Sequence, residues 1–299
     1  MGAQIAVLGS INMDLVAVTE VAPAPGQTVT GQRFFTSPGG KGANQAVAAS
    51  LAGAQVTMLG AVGRDAFGEE LLRALAGKNV DVAEVSLAEV GTGTAHIVVD
   101  AAGSNSIVVV PAANGTVTRL STRHREIIAR SDVLLMQLEL PVEVVAEAAA
   151  FARASGVTVI LTPAPVRQLP DGLLADVDLL IANEGESLEL TGARNAQDAA
   201  GILARTSGAV IITLGEQGCL YVGAEGRLES AARRVAAVDT TAAGDTFVGA
   251  LAVALAEGTP VADALDWAGA AAALAVQRFG ASSSMPTRSE IAAFAGAGR

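Results

Sequence analysis

Val133-Leu134-Leu135-Met136, followed at once by Gln137 and Glu139, decides the fold class. The four residues are apolar without alternation, as a strand covered on both faces must be. Helix-like runs flank them at 121–130 and 142–154, and a second apolar run follows at 157–162. Strand-like segments at 178–182 and 209–214 then alternate with helix-like segments at 185–191 and 196–207. This alternation predicts an α/β protein: a doubly wound, mostly parallel sheet between two helix layers, three layers in all. Earlier in the chain, residues 5–8 and 56–62 read as strands, 80–85 as extended, and 43–52 and 66–76 as helices. Helices at 247–256 and 261–276 and a short one at 288–294 close the chain, and 234–238 reads as strand-like. No linker, low-complexity segment or repeat divides residues 1–299, so they are read as one domain.

A second set of segments does not fit the alternation. Residues 28–36, 93–99 and 106–110 are β-rich, and the last two flank the turn Ala101-Ala102-Gly103-Ser104 as a hairpin would. They predict a small accessory sheet, inserted from about 13–38 and 92–112.

Composition narrows the function. The chain has 299 residues, 51% hydrophobic and only 3% aromatic, with a net charge of −11. No Lys/Arg run is present, and Lys41 and Lys78 are the only lysines. Nucleic acid and anionic membrane are therefore not expected partners. Cys219 is the only cysteine and lies in an apolar run, which excludes an internal disulfide and makes it a core residue. His96 and His124 lack metal-ligand spacing. The N-terminus carries no basic leader, and the longest small-apolar run, 268–276, is short of the ~20 residues of a membrane span. A cytoplasmic setting is the expectation.

Polar groups gather where strands end, and in open α/β sheets ligands sit there. Asn12 and Asp14 follow the first strand and alternate, so both face one side, as sugar hydroxyls require. Gln137 and Glu139 follow the strand first quoted; Asn183 and Glu186 follow the next but one; Thr213, Gly215 and Gly218 follow the last. Each alone also reads as a turn or cap. Gly39-Gly40-Lys41-Gly42-Ala43-Asn44-Gln45 is a Gly-rich loop opening a helix. It is not a Walker loop, since Gly42 follows Lys41, and Gln45 breaks the dinucleotide pattern. Lys41 and Asn44 supply donors there.

The densest stretch is Asp239-Thr240-Thr241-Ala242-Ala243-Gly244-Asp245-Thr246-Phe247. Small residues bring backbone close to a ligand, and the first amides of the following helix form an anion site. A carboxylate beside an anion site repels phosphate. It makes chemical sense if Asp245 takes the proton of a hydroxyl that attacks a phosphoryl group held by the amides of Ala242, Ala243 and Gly244. An acidic cap in a Gly/Ala turn is the plainer alternative.

The Gly-rich loop and this stretch, in order and about 200 residues apart, resemble the two signatures of the PfkB-type carbohydrate kinases. Gly9-Ser10-Ile11-Asn12-Met13-Asp14, the segment from Leu134 to Glu139, Pro163-Ala164-Pro165 and the Asn183/Glu186 pair also match, so the resemblance runs from 4 to 296. It is strongest to members that phosphorylate the 5-hydroxyl of D-ribose with ATP and Mg²⁺. The resemblance implies a single kinase domain with Asp245 as base and an anion hole at Ala242 to Asp245. It implies sugar contacts from Asn12, Asp14, Gly40, Lys41, Asn44 and Glu139. Asn183 and Glu186 would organise phosphates and Mg²⁺, and Thr213, Gly215, Gly218 and Gly244 would line the nucleotide site. K⁺ would bind beside the anion hole at Asp239, Thr241, Ala275, Arg278, Gly280 and Ser284, several through carbonyls. The accessory strands would form a lid over the sugar, and two lids would clasp into a homodimer.

Three positions depart from the family pattern: Thr162 replaces an Asn before Pro-Ala-Pro, Gly269 an Asn or His near the adenine, and Ala113 a Gly before Ala-Asn. Other readings stay open. One is a kinase of another sugar or a nucleoside, decided by lid residues around His96 and Val108. Another is a non-catalytic sugar- or nucleotide-binding protein, which an intact Asp245 opposes. A dehydrogenase-like dinucleotide binder is opposed by the absent Gly-x-Gly-x-x-Gly.

Overall fold

The computed structural model describes residues 2–296. The chain forms β1 (Gln4–Leu8), β2 (Asn12–Thr19), β3 (Gly31–Gly39), α1 (Lys41–Leu51), β4 (Gln55–Leu59) and β5 (Ala61–Gly63). It continues with α2 (Ala66–Ala76), β6 (Val80–Asp81), β7 (Ser86–Ala88), β8 (Gly93–Val99), β9 (Asn105–Val110) and α3 (Thr122–Ile128). The alternating half comprises β10 (Val133–Gln137), α4 (Val142–Ala154), β11 (Thr158–Thr162), β12 (Leu179–Asn183), α5 (Glu184–Thr191), α6 (Ala196–Leu203) and β13 (Ala209–Thr213). A hairpin, β14 (Cys219–Gly223) and β15 (Gly226–Ser230), precedes α7 (Ala243–Ala256), α8 (Val261–Ala275) and α9 (Arg288–Gly296).

Nine strands form the main sheet in the order β15-β14-β13-β12-β11-β10-β1-β4-β6. The ladders from β13 to β6 are parallel, and the β13–β14 and β14–β15 ladders at the edge are antiparallel. Period-two alternation sends successive residues of each strand into different helix layers. Ile5, Val7, Val133, Leu135 and Ile160 pack with α1, α7 and α8, while Ala6, Leu8, Leu134, Met136 and Leu161 pack with α4 and α6. The expected three-layer, doubly wound α/β fold is therefore present. After β1 the chain first builds the β4–β6 side and later returns to lay β10 on the other flank. The topological switch point lies between β1 and β10, where a crevice opens beyond the strands' carboxyl ends.

A separate four-stranded sheet has the order β3-β2-β8-β9. Its β9 is exposed throughout, with Ile107, Val108, Val109 and Val110 open to solvent alongside Phe34 of β3. His96 and Val108 stand directly opposite each other in the β8–β9 ladder. Among the described residues no helix is long and apolar enough to cross a membrane.

The structure corrects several local expectations. Residues 234–238 form no strand; the amides of Val238 and Asp239 donate to the Val276 carbonyl at the end of α8, at 2.7 and 3.1 Å, instead of joining a ladder. The apolar run 56–62 breaks at Gly60 into β4 and β5, which belong to different sheets. Of 80–85 only Val80–Asp81 pairs as strand. Asn12 and Asp14, whose alternation pointed to an extended segment, lie at the start of β2, which sets aside the alternative of a polar turn. The β14–β15 hairpin extends the sheet further than the apolar run at Cys219 suggested. Ala112, two residues before Asn114, is left-handed with φ 42°, a conformation that favours glycine.

One contact sets how closely α1 approaches β1. A Cβ on Gly42 would lie 2.6 Å from the Gly9 carbonyl carbon and from the Ser10 amide nitrogen, both fixed backbone. Gly42→Ala is therefore expected to destabilise by about 1–3 kcal/mol through overpacking, despite alanine's better helix propensity. Gly269→Ala is the control: its Cβ would meet nothing within 4 Å in the middle of α8. It is expected to stabilise by about 0.5–1 kcal/mol. Urea titrations of the two variants check the opposite signs.

Candidate active site

The amino end of α1 is pinned at the switch point. Gly40 caps the helix with φ 90°. The Lys41 amide donates to Glu139 Oε2 at 3.2 Å, the Gly42 amide to Ser10 Oγ at 3.3 Å, and the Ala43 amide to the Ser10 carbonyl at 2.9 Å. The Asn44 amide closes the first turn on the Gly40 carbonyl at 2.9 Å. Ser10 Oγ in turn donates to Glu139 Oε2. Every orphan amide of this helix start thus has a protein acceptor, and Glu139 does much of that bracing.

The amino end of α7 is different. Ala242, the cap, is left-handed with φ 58°, and the Ala243 amide donates to the Thr240 carbonyl at 3.2 Å. The amides of Gly244 and Asp245 have no acceptor among the described residues. Two aligned free amides at a helix start form a site for an anion.

Asp245 sits in the first turn of α7 and is 9% exposed. Its two carboxylate oxygens face α1: Asn44 Nδ2 donates to Oδ2 and Gln45 Nε2 to Oδ1, both at 3.1 Å. Burial raises the Asp245 carboxyl, and it outweighs the Lys41 charge and the two amide donors, which act to lower it. Burial alone would lower the Lys41 ammonium, but Asp245, Glu139 and Glu186 hold it above its ordinary value. Asp14, at the start of β2, is pushed up to about 7 by burial, with Glu139 and Asp245 adding like-charge repulsion. Its carboxylate occupies the space where a Cβ on Gly39 would stand. Asn12 is buried, and its Oδ1 accepts from Asn114 Nδ2 at 2.7 Å.

The structure therefore brings Asn12, Asp14, Gly40, Lys41, Asn44, Glu139 and Asp245 into one cluster. A second group lies farther along the sheet edge. Asn183 and Thr213 are register partners at the ends of β12 and β13. Asn183 Oδ1 accepts from the Glu186 amide at 2.8 Å while Glu186 Oε2 accepts from the Asn183 amide at 2.9 Å, a reciprocal cap on α5. Gly215 and Gly218 turn the chain into β14, where the Leu214 amide donates to the Gly218 carbonyl at 2.7 Å.

A third group brackets the loop before α7. Asp239 Oδ1 accepts from the Thr241 amide and hydroxyl at 2.9 and 2.6 Å, and Oδ2 from the Gly280 amide at 2.9 Å. Burial would raise Asp239, but these bonds outweigh it and hold the carboxyl below its ordinary value. Ala275 and Ser284 are buried; the Ala275 carbonyl accepts from the Arg278 amide, and Arg278 pairs with Glu290 at 2.6 Å.

Sequence reasoning assigned no role to four polar residues that the fold places in the first cluster: Ser10, Gln45, Asn114 and Thr162. It gave Gln137 only as a strand-end residue. A signal for Gln45 existed, since a glutamine inside an alanine-rich helix start has no packing reason to be there.

Residues 3–288 match the pfkB family carbohydrate kinases. The chain is 42% identical to the ribokinase of Schizosaccharomyces pombe, covering 96% of each chain. It is also 42% identical to that of Bacillus subtilis, over 96% of this chain and 97% of the relative. The solved structure of Arabidopsis thaliana ribokinase complexed with ribose and ATP superposes with a TM-score of 0.92 at 32% identity, covering 99% of both chains. With this family match spanning nearly the whole chain, the protein belongs to the pfkB family of carbohydrate kinases.

Proposed function

We propose that the protein transfers the γ-phosphoryl group of ATP to the 5-hydroxyl of D-ribose. The observation that carries the site assignment is the contrast between two helix starts. At α1 the amides of Lys41, Gly42, Ala43 and Asn44 are all occupied by protein acceptors. At α7 the amides of Gly244 and Asp245 are free, beside a buried carboxylate. The substrate comes from the ribokinase relatives and from the ribose and ATP bound to the Arabidopsis protein.

In this reading Asn12, Asp14, Gly40, Lys41, Asn44 and Glu139 hold the sugar, with Asp14 and Glu139 accepting from its hydroxyls. Asp245 takes the proton of the 5-hydroxyl as that oxygen bonds to the γ-phosphorus. The bond from the γ-phosphorus to the bridging oxygen breaks, and ADP leaves. The amides of Gly244 and Asp245 meet the charge on the equatorial oxygens, while the Ala243 amide, expected from the sequence to join them, is taken by the Thr240 carbonyl; Lys41 adds a cation that the surrounding carboxylates keep protonated. Thr213, Gly215 and Gly218 line the nucleotide. Net charge does not attract ATP to an acidic protein, so these local donors must.

The residues present fit Mg²⁺ and K⁺. No cluster of three or more His, Cys, Asp or Glu that could hold a metal exists among the described residues. Asn183 and the second oxygen of Glu186 would hold Mg²⁺ together with phosphate oxygens and water, the ligands this cation favours. Mg²⁺ supplies charge neutralisation on the phosphates. For K⁺, the carbonyls near Ala275, Gly280 and Ser284 and the Asp239–Thr241 loop supply hard oxygen donors, with Arg278 at the same loop. The four-stranded sheet serves as the lid of this single kinase domain. Its exposed β9 and Phe34 are the faces through which two lids pair in a homodimer, and the setting is cytoplasmic.

An assay of ATP- and Mg²⁺-dependent phosphorylation over pentoses, hexoses and nucleosides, with and without potassium, tests the reading. Ribose is expected to give the highest kcat/KM, raised by potassium. If ribose is no better than fructose or adenosine, the substrate assignment fails. If nothing turns over, a binding protein is the better reading.

A further inference from the structure

We propose that Gln45, anchored by Gln137, is a positioning residue for Asp245: a chain of two buried amides runs from the end of β10 to the carboxylate and fixes its orientation. The inference rests on the reading of Asp245 as the base. Gln137 Nε2 donates to Gln45 Oε1 at 2.6 Å, and Gln45 Nε2 donates to Asp245 Oδ1 at 3.1 Å. Thr162 Oγ1 lies 3.4 Å from the same Gln45 nitrogen. Gln45 and Gln137 are both 0% exposed.

Two fully buried amides are costly unless each polar atom is used. Packing does not require Gln45, because its neighbours on that α1 face are the small residues Gly42, Ala48 and Ala49. The fold also makes room for the chain. Gln137 and Thr162 are register partners on β10 and β11, so both face α1. A Cβ on Gly9 would lie 2.1 Å from Gln137 Oε1, so glycine at the end of β1 lets the Gln137 side chain pass beneath it.

The polarity of the chain matches the work of a base. As placed, Gln45 and Asn44 both present donors, which suits an ionised carboxylate. Once Asp245 has taken a proton, its O–H needs an acceptor. Gln137 Oε1 is buried without a partner. Turning both terminal amides over exchanges their oxygens and nitrogens without moving the chain. Gln45 Oε1 then faces Asp245, Gln45 Nε2 donates to Gln137 Oε1, and the Thr162 hydroxyl switches from acceptor to donor. Both protonation states of the base are thus served in one place. The charged groups acting on Asp245 are Lys41 of α1, Glu139 beyond β10 and Asp14 of β2.

Gln45→Met, Gln137→Met and the double variant, assayed in the full chain beside Asp245→Asn, test this. Gln45→Met is expected to lower kcat about 10- to 100-fold, the worth of a hydrogen bond to a charged group, with both KM values within about twofold. The acid limb of its kcat/KM profile is expected to move to higher pH, because the ionised carboxylate has lost a donor. Gln137→Met is expected to shift the limb the same way by less. The double variant should match Gln45→Met, since both break one chain. A purely structural role would lower the melting temperature and leave the limb in place. An unmoved limb with unchanged kcat, or effects that multiply, overturns the proposal. If Gln45→Met does not fold, the limb of Gln137→Met decides. If Asp245→Asn keeps its turnover, the base assignment falls and the chain with it. If Asp245→Asn is inactive while the glutamine variants behave as wild type, only the chain falls.

Discussion

Asp245→Asn lowers kcat by about 10²–10⁴, the usual contribution of a positioned general base, while the protein remains folded. The substitution keeps the size of the side chain and removes the buried carboxylate in the first turn of α7, where the free amides lie. It also removes a buried charge. A carboxyl raised in the folded state binds protons more tightly there than in the unfolded chain. Its stabilising effect is complete below the ordinary carboxylate pKa and is lost as pH rises through the folded value. Above the ordinary carboxylate range the buried carboxyl is a burden on the fold, so the amide variant is expected to melt no lower than wild type at pH 8. One difficulty is local: Asn44 and Gln45 both present donors to the two oxygens. The new amide nitrogen faces one of them, which the inversion of Gln45 relieves. Steady-state kinetics with a thermal melt on the same preparation check both halves. Turnover above a tenth of wild type removes Asp245 from the role of base.

Asp14→Asn is expected to separate stability from function. Its carboxyl is pushed up to about 7, chiefly by burial and then by Glu139 and Asp245. Between about pH 4 and 7 the folded protein holds a proton that the unfolded chain has released, so this group makes stability fall as pH rises across that window. Above pH 7 the accumulated penalty is on the order of 4 kcal/mol, reduced by whatever solvent reaches the carboxylate. The neutral variant escapes it. Asp14→Asn is therefore expected to melt several degrees higher than wild type at pH 8, with the advantage vanishing by pH 4. In the proposed sugar site the same carboxylate accepts from two hydroxyls, and its loss is expected to raise the sugar KM about 100-fold, through one or two charge-assisted bonds. The KM for ATP should stay within about twofold. A variant that loses sugar affinity without gaining stability at pH 8 contradicts the burial argument. One that gains stability and keeps its sugar KM contradicts the site assignment.

The layered fold was legible because burial on two faces writes itself into composition. Val133-Leu134-Leu135-Met136 has no polar position, and such runs alternating with helical ones admit few architectures. Spacing along the chain also exposed the residues that must sit at strand ends, such as Glu139, Asn183 and Thr213. Local failures came where the partner of a segment was remote. Residues 234–238 look like a strand, yet their hydrogen bonds go to the end of α8. The run across Gly60 looks continuous, yet its halves pair with different sheets.

What the sequence determined by itself was the doubly wound sheet, the Gly-rich start of α1 and the carboxylate at the start of α7, because periodicity, glycine and helix-start chemistry are properties of neighbouring residues. Only the tertiary structure decided which helix start has free amides and which side chains orient Asp245. Gln45 and Gln137 are 92 residues apart, and Gln45 and Asp245 are 200 apart. Their contacts depend on α1 packing against both β10 and α7. A hydrogen bond leaves no trace in the local pattern when its partners are joined only by the fold.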